Sequence, residues 1–165
     1  MKAVSAIDKK IFTLPRLLAQ VASWRVTDKT VAFTNGCFDI FHEGHIFSLS
    51  EAAKEADYLI IGVNSDSSTR KLKGPERPVN HEYSRALLLA HLTIVDAVII
   101  FSEDTPKELI TAILPDVLVK GGDYTIEQIV GSKEVLDNGG RVVINPIVKG
   151  FSTTGIIEQI KSSYS

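Results

Sequence analysis

Two histidines three residues apart, His42 and His45, stand in the stretch FDIFHEGHIF (38–47), shortly after an apolar run. That spacing puts both imidazoles on one side of a helix entry. A helix N-terminus presents free N–H groups and partial positive charge, which favour anions. Imidazoles add hydrogen bonds to phosphate oxygens and stabilise charge that builds in a transition state. Gly44 leaves room for a ligand to approach the backbone. The chemistry on offer is the holding of a nucleotide phosphate while a second phosphate attacks it. Other readings use the same residues: one histidine caps the helix and the other is exposed, or the pair ligates zinc. Zinc needs more ligands than two, and the sole cysteine, Cys37, precedes the motif. No residue is therefore assigned to a metal.

Three further stretches carry polar groups that could meet a phosphate. RKLKGPERPVN with the nearby Arg85 places Lys71, Lys73, Arg77 and Arg85 around one segment. Lysine is a compact charge for phosphate, and arginine can grip it with two N–H groups; a solvated basic loop is the plainer alternative. GFSTTG (150–155) puts Ser152, Thr153 and Thr154 at a helix start, where hydroxyls and N–H groups hold phosphate or where Ser152 is an ordinary cap. In VKGGDY (119–124), Gly121 and Gly122 permit close backbone approach and Asp123 can accept from hydroxyls, or the stretch is a turn. Cys37 as a nucleophile would need an activating partner, and its setting suits backbone contact and packing better. The chain lacks GxGxxG and GxxxxGK[ST], which disfavours a dinucleotide oxidoreductase or a P-loop kinase.

The elements that position these residues follow from the apolar pattern. Leu14, Leu17, Leu18, Val21 and Trp24 recur at helical spacing within residues 13–26. VAFT (31–34), DYLIIGVN (57–64), DAVIIF (96–101), DVLVKGG (116–122) and RVVINP (141–146) read as five strands. Helices are predicted over residues 44–56, 83–92 and 125–137, after Pro106 with Thr105 as cap, and from Ser152 to about Lys161. Residues 65–80, polar and carrying Pro75 and Pro78, read as a long functional loop. The strands are nearly continuous Val/Ile/Leu, which means burial on both faces. The expected fold is α/β, a single doubly wound Rossmann-like domain: a five-stranded parallel sheet with helices on both faces. A helical extension over residues 1–27 would precede a domain spanning 28–165. In such sheets, ligands bind beyond the carboxyl ends of the strands, at the switch point of strand order. The polar stretches above all follow strands.

Bulk composition agrees with one globular domain. The chain has 165 residues, 44% hydrophobic and 23% charged, with a formal net charge of −2. That charge offers no footprint for nucleic acid. No apolar run reaches membrane-spanning length, and no signal-peptide core is seen at the start, so a cytoplasmic location is expected.

FTNGCFDIFHEGH resembles the signature of the nucleotidyltransferase superfamily with the HxGH motif, and GFSTTG resembles its second signature. NSDSSTRKLKGPERPVN, SEDTPKELI, PDVLVKGGDY and STTGII narrow the resemblance to the adenylyltransferase domains of ADP-heptose synthases, from about Asp28 to Lys161. The resemblance implies transfer of AMP from ATP to D-glycero-β-D-manno-heptose 1-phosphate, giving ADP-heptose and pyrophosphate for lipopolysaccharide core assembly. It implies Mg2+ with the ATP, a homodimer, and a separate heptose kinase, since many relatives are fused to a kinase domain that 165 residues cannot contain.

The resemblance further assigns His42, His45 and Lys73 to catalysis. Thr34, Asn35, Gly36, Cys37, Phe38, Gly44, Lys71, Lys120, Gly121, Ser152, Thr153 and Thr154 fall to the nucleotide. Asp39, Asn64, Asp66, Arg77, Arg85 and Asp123 are expected on the sugar phosphate side, Arg77 and Asp123 independently of the resemblance. Related glycerol-phosphate cytidylyltransferases carry an arginine where this chain has Ile147, with Lys149 the nearby cation, and another near the position of Thr93. Both departures argue against cytidylyl transfer. The competing expectations are transfer to another small phosphate (glycerol phosphate, ethanolamine phosphate or FMN), a nucleotide sensor without turnover, and a purely structural domain.

Overall fold

The computed structural model describes residues 5–146 and 150–164; Ile147 and Lys149 lie outside the described residues. In chain order the elements are α1 (Ser5–Asp8), β1 (Ile11–Phe12), α2 (Leu14–Val26), β2 (Val31–Gly36), α3 (Glu43–Ala53), β3 (Tyr58–Asn64), α4 (Asp66–Lys73) and α5 (Glu82–Ala90). They continue with β4 (Ala97–Phe101), α6 (Lys107–Ile113), β5 (Val117–Gly121), a 3-10 turn (Ile126–Gln128), α7 (Ser132–Asp137), β6 (Arg141–Asn145) and α8 (Thr153–Tyr164). Among the described residues no helix is long and apolar enough to cross a membrane.

All the strand pairs are parallel, in the order β1-β4-β3-β2-β5-β6. The sheet therefore has six strands, not five. The extra one, β1, is two residues long and pairs Ile11 with Val98 at the edge. A two-residue strand carries no periodic signal, and tertiary pairing with β4 alone defines it. From β2 the chain winds outward through β3 and β4, then crosses back to β5 and β6 on the other side. The switch point lies between β2 and β5.

Two apolar layers cover the sheet, as the Val/Ile/Leu runs require. One contains Leu17 and Val21 of α2, Phe33, Ile60, Ile110 and Ile113 of α6, Leu118, Ile129 and Val135 of α7. The other contains Leu49 and Ala52 of α3, Ala86, Leu89 and Ala90 of α5, Ile61, Val63 and Val119. Residues before 28 contribute to both, through Leu17 on one face and the partly buried Ile7 and Ile11 on the other. Fully burying one such side chain stabilises the fold by about 1.5–3 kcal/mol.

Three local expectations are corrected. Residues 65–80 are not one loop, because α4 occupies 66–73. Its sequence, DSSTRKLK, lacks an apolar stripe, so periodicity could not reveal it. The helix is specified instead by its ends. Ser65 Oγ accepts from Ser68 N at 3.2 Å, Asp66 lies in the first turn, and Arg70, Lys71 and Lys73 lie in the last. Residues 125–137 are likewise not one helix but a 3-10 turn and α7, divided at Gly131. Gly131 has φ +86°, and a Cβ there would sit 2.8 Å from Ile110 side-chain atoms. Finally, Pro106 itself takes the N-cap position of α6, one residue later than expected.

Candidate active site

The loops leaving the carboxyl ends of the strands enclose a cleft of about 580 Å³. It opens at the switch point, where Asn35 and Gly36 end β2 and Lys120 is the last residue but one of β5. Of the residues selected from the sequence, it brings together Asn35, Gly36, Cys37, Phe38, Asp39, His42, His45, Asn64, Lys73, Arg77, Lys120, Ser152, Thr153 and Thr154. Thr34 and Gly121 line an adjoining recess of about 190 Å³ that shares Asn35, Cys37 and His45 with the cleft.

The histidines sit where the spacing predicts. His42 is the N-cap of α3, and His45 is in its first turn. Their rings stack with centroids 3.8 Å apart, and His45 also stacks on Phe41 at 5.4 Å. His45 Nδ1 accepts from the backbone N–H of His42 at 3.4 Å. That bond leaves Nε2 as the protonated nitrogen of a neutral His45 ring. Among the described residues, His42 Nδ1 is buried without a hydrogen-bond partner. A buried polar atom left unpaired is costly, and a ligand that pairs it recovers that cost. Burial, reinforced by the neighbouring His42, pushes the His45 imidazolium down to about 4. Burial also lowers that of His42. At neutral pH the free domain thus presents two uncharged imidazoles. Gly44 fits closely against this stack: a Cβ there would lie 3.1 Å from both His42 Nδ1 and Phe151 Cβ, so one of them would have to give way.

A second helix N-terminus meets the first. Ser152 caps α8, its Oγ accepting from Gly155 N at 3.0 Å. Thr153 Oγ1 donates to the Ile40 carbonyl at 3.4 Å, tying α8 to the loop before α3. The Phe151 ring lies parallel to that of His42, with centroids 6.5 Å apart. Two sets of free N–H groups and hydroxyls therefore converge on the cleft, which Lys73 at the end of α4 also lines.

The arginines and aspartates hold the loops. Asp39 has a side chain only 1% exposed. It accepts from Arg77 Nε at 2.6 Å and from Val79 N and Asn80 N at 2.8 and 2.9 Å. Burial alone would raise its pKa, but the Asn80 and Val79 N–H groups and Arg77 outweigh burial and hold this carboxyl below its usual range. Arg85, 2% exposed, donates to the Asn80 carbonyl at 2.9 Å, to Asp66 Oδ1 at 2.9 Å and to the Cys37 carbonyl. One guanidinium thus joins the loop after β2, the start of α4 and the loop before α5. Phe38, next to Cys37, has φ +49°, the left-handed region that a bulky residue occupies only when its surroundings hold it there. Asp66 and Arg85 lie outside the cleft lining, as do Lys71, which pairs with Asp104 at 2.6 Å on the surface, and the exposed Asp123.

The cleft also contains residues that the sequence reasoning passed over: Leu72, Asp104, Thr105, Pro106, Tyr124 and Val130. Asp104, Thr105 and Pro106 follow β4, so the rule that ligands sit after strands pointed to them. Tyr124 closes the quoted VKGGDY, but no role was given to it. Leu72 and Val130 carried no signal.

The description of the family model "Cytidylyltransferase-like" matches residues 33–164. The chain belongs to the cytidylyltransferase-like family. Membership in it makes the domain a nucleotidyltransferase, and the matched region begins within β2 and includes every cleft-lining residue. Within this cytidylyltransferase-like family, the curated "Bifunctional protein HldE" of Mesorhizobium japonicum is 54% identical over 142 residues, covering 86% of this chain and 29% of that protein. The protein of the same name from Rhodospirillum rubrum is 50% identical over 157 residues, 95% of this chain and 32% of that one. The chain spans about a third of the length of these relatives. Among solved structures, the lipopolysaccharide core biosynthesis protein from Thermoplasma volcanium superposes with a TM-score of 0.59 at 28% identity, over 74% of this chain and 99% of that one.

Proposed function

We propose that this cytidylyltransferase-like domain transfers AMP from ATP to a heptose 1-phosphate, releasing pyrophosphate. The observation that carries this reading is the convergence of two neutral imidazoles and two helix N-termini on one cleft beside Lys73. It suits a polyphosphate rather than a single small anion. The motif blocks from RKLKGPERPVN to STTGII favour adenylyl transfer to a heptose phosphate over other members of the family.

The acceptor phosphate is already a nucleophile at neutral pH, so no general base is needed. Catalysis rests on positioning and charge stabilisation. The Nε2–H of His45 and the ring of His42 stabilise negative charge on the α-phosphate as it is attacked. Ser152, Thr153, Thr154 and the N–H groups behind them hold the outer phosphates. Lys73 neutralises the reacting phosphates. The two carboxylates of the cleft are engaged, Asp39 with Arg77 and Asp104 with Lys71. Magnesium, which lends charge neutralisation to ATP, would therefore be held through phosphates and water more than through protein carboxylates. A sugar 1-phosphate is itself the product of a phosphorylating enzyme, so a heptose kinase supplies the substrate. The homodimer implied by the sequence resemblance is checked by light scattering.

Pyrophosphate release tests this reading. ATP with D-glycero-β-D-manno-heptose 1-phosphate gives pyrophosphate and ADP-heptose. Preferred turnover of CTP with glycerol 3-phosphate would replace it with a polyol cytidylyltransferase.

Proton linkage supplies a second test. His45 is held near 4 in the free domain, and phosphate oxygens at hydrogen-bond distance raise it. The complex then binds more protons than the free protein does. ATP affinity should rise as pH falls from 8 towards 6, with proton uptake on binding. Uptake falls off again as pH drops through about 4, where the free imidazole becomes charged too. Calorimetry in buffers of different ionisation enthalpy reads the uptake. His45→Gln should reduce it, leaving the titration of ATP and of His42; uptake equal in the two proteins shows that His45 takes up no proton on binding and meets phosphate, if at all, only through its neutral Nε2–H.

A further inference from the structure

Asn64 ends β3 and is 4% exposed, yet it lines the cleft. Its amide has an NH2 group that donates and an oxygen that accepts. The donor end is engaged: Nδ2 donates to Ser68 Oγ at 2.9 Å. Ser68, in the first turn of α4 and 1% exposed, donates in turn to the Glu103 carbonyl at 3.3 Å, in the loop after β4. Among the described residues no hydrogen bond reaches Asn64 Oδ1, and this oxygen is not sealed from the cleft as His42 Nδ1 is.

Ser68 decides which end of the amide faces the cleft. A serine hydroxyl has one proton. Spent on the Glu103 carbonyl, it leaves lone pairs for Asn64, so the NH2 group turns to Ser68 and the oxygen to the cleft. The reverse orientation would draw that proton to Asn64 and strand a part-buried carbonyl. Two further bonds hold α4 against the end of β3. Ser68 N donates to Ser65 Oγ at 3.2 Å, and Thr69 Oγ1 donates to the Asn64 carbonyl at 3.4 Å.

The groups that suit phosphate in this cleft are donors: N–H groups, hydroxyls and Lys73. Asn64 Oδ1 offers lone pairs instead, which repel a phosphate oxygen and attract an O–H. The proposed reactants both carry such groups close to their phosphates, on the ribose of ATP and on the acceptor sugar. We infer that Asn64 accepts a hydrogen bond from a substrate hydroxyl, and that Ser68 is the positioning residue that turns the amide to do so. A substrate lacking that hydroxyl leaves a buried acceptor unpaired, so the pair sets specificity. The sequence singled out Asn64 and gave Ser68 no role. This deepens the adenylyltransferase reading and rests on it for the identity of the reactants.

The test compares wild type, Asn64→Ala, Ser68→Ala and Ser68→Thr. Each is assayed with ATP, 2′-deoxy-ATP and 3′-deoxy-ATP, and with heptose 1-phosphate and its mono-deoxy analogues. The readout is the ratio of kcat/KM between parent and deoxy substrate, which does not depend on how much of a variant is folded. Wild type should lose about 10-fold or more with one deoxy substrate, on the scale of stranding one buried acceptor. In Asn64→Ala that ratio should shrink to within about 2-fold, because no acceptor is left to strand. Ser68→Ala frees the amide to turn and should shrink the ratio too, and Ser68→Thr, which keeps the hydroxyl, should restore it. A deoxynucleotide carrying the loss assigns the contact to ribose, and a deoxyheptose assigns it to the acceptor. If wild type discriminates against no deoxy substrate, or Asn64→Ala keeps the wild-type ratio, the inference is overturned. If Ser68→Ala lowers Tm and slows all substrates alike at an unchanged ratio, Ser68 is structural and its part is overturned. If heptose 1-phosphate is not turned over, the adenylyltransferase reading falls. Calorimetric affinities for ATP and the two deoxynucleotides then give the ratio: its collapse in Asn64→Ala upholds the inference, and equal ratios overturn it.

Discussion

His45→Ala lowers turnover by about 100-fold or more, the scale of losing one preorganised donor at a developing charge. Three features set this size. The ring is neutral, its tautomer is fixed by the bond from His42 N, and it is packed between His42 and Phe41. The donor therefore reorganises little as charge builds on the α-phosphate. The substitution also removes half of the ring stack, so stability must be read alongside. The two effects separate in the kinetics. A donor used in the transition state lowers kcat and kcat/KM together, whereas a misplaced His42 alone raises the KM for ATP. His45→Asn keeps an N–H on a shorter side chain and should recover part of kcat. Near-normal kcat in a folded His45→Ala protein removes this residue from the chemistry.

Arg85→Ala acts on the whole site through the fold. The guanidinium is buried and joins three segments, through the Cys37 carbonyl, the Asn80 carbonyl and Asp66. Removing it strands two carbonyls and a carboxylate. Breaking a buried pair of this kind costs about 3–5 kcal/mol, which for a domain of this size is a fall in Tm on the order of 10 °C. Arg85→Lys should recover little, because an ammonium cannot serve three acceptors spread over one planar fork. Thermal unfolding measures the loss. A Tm within about 2 °C of wild type, with a raised KM for either substrate, would show instead that Arg85 meets a phosphate. The strained backbone at Phe38 sits beside the Cys37 contact, so activity should fall more steeply than stability does.

Lys73 and Arg77 show how far one polar segment could be read from sequence. Both were selected as phosphate-binding cations, and both line the cleft. Only coordinates reveal that Arg77 spends its Nε on Asp39 while Lys73 does not appear in any ion pair among the described residues. Pairing between residues 38 positions apart leaves no trace in local pattern. The same holds for α4, whose polar face carries no apolar stripe, and for β1, which exists because β4 offers it an edge.

The alternation of the main strands and helices, the parallel sheet and the histidine pair at the entry of α3 were determined by the sequence alone. These depend on periodicity, capping and spacing within a few residues, which local chemistry dictates. The sixth strand, the convergence of α3 and α8 on one cleft, and the clamp around Arg85 and Asp39 were decided only by the tertiary structure. Each joins segments far apart in the chain, brought together by the crossover at β2 and β5. Such neighbours are chosen by the burial of the two apolar layers, a property of the whole chain that no short stretch contains.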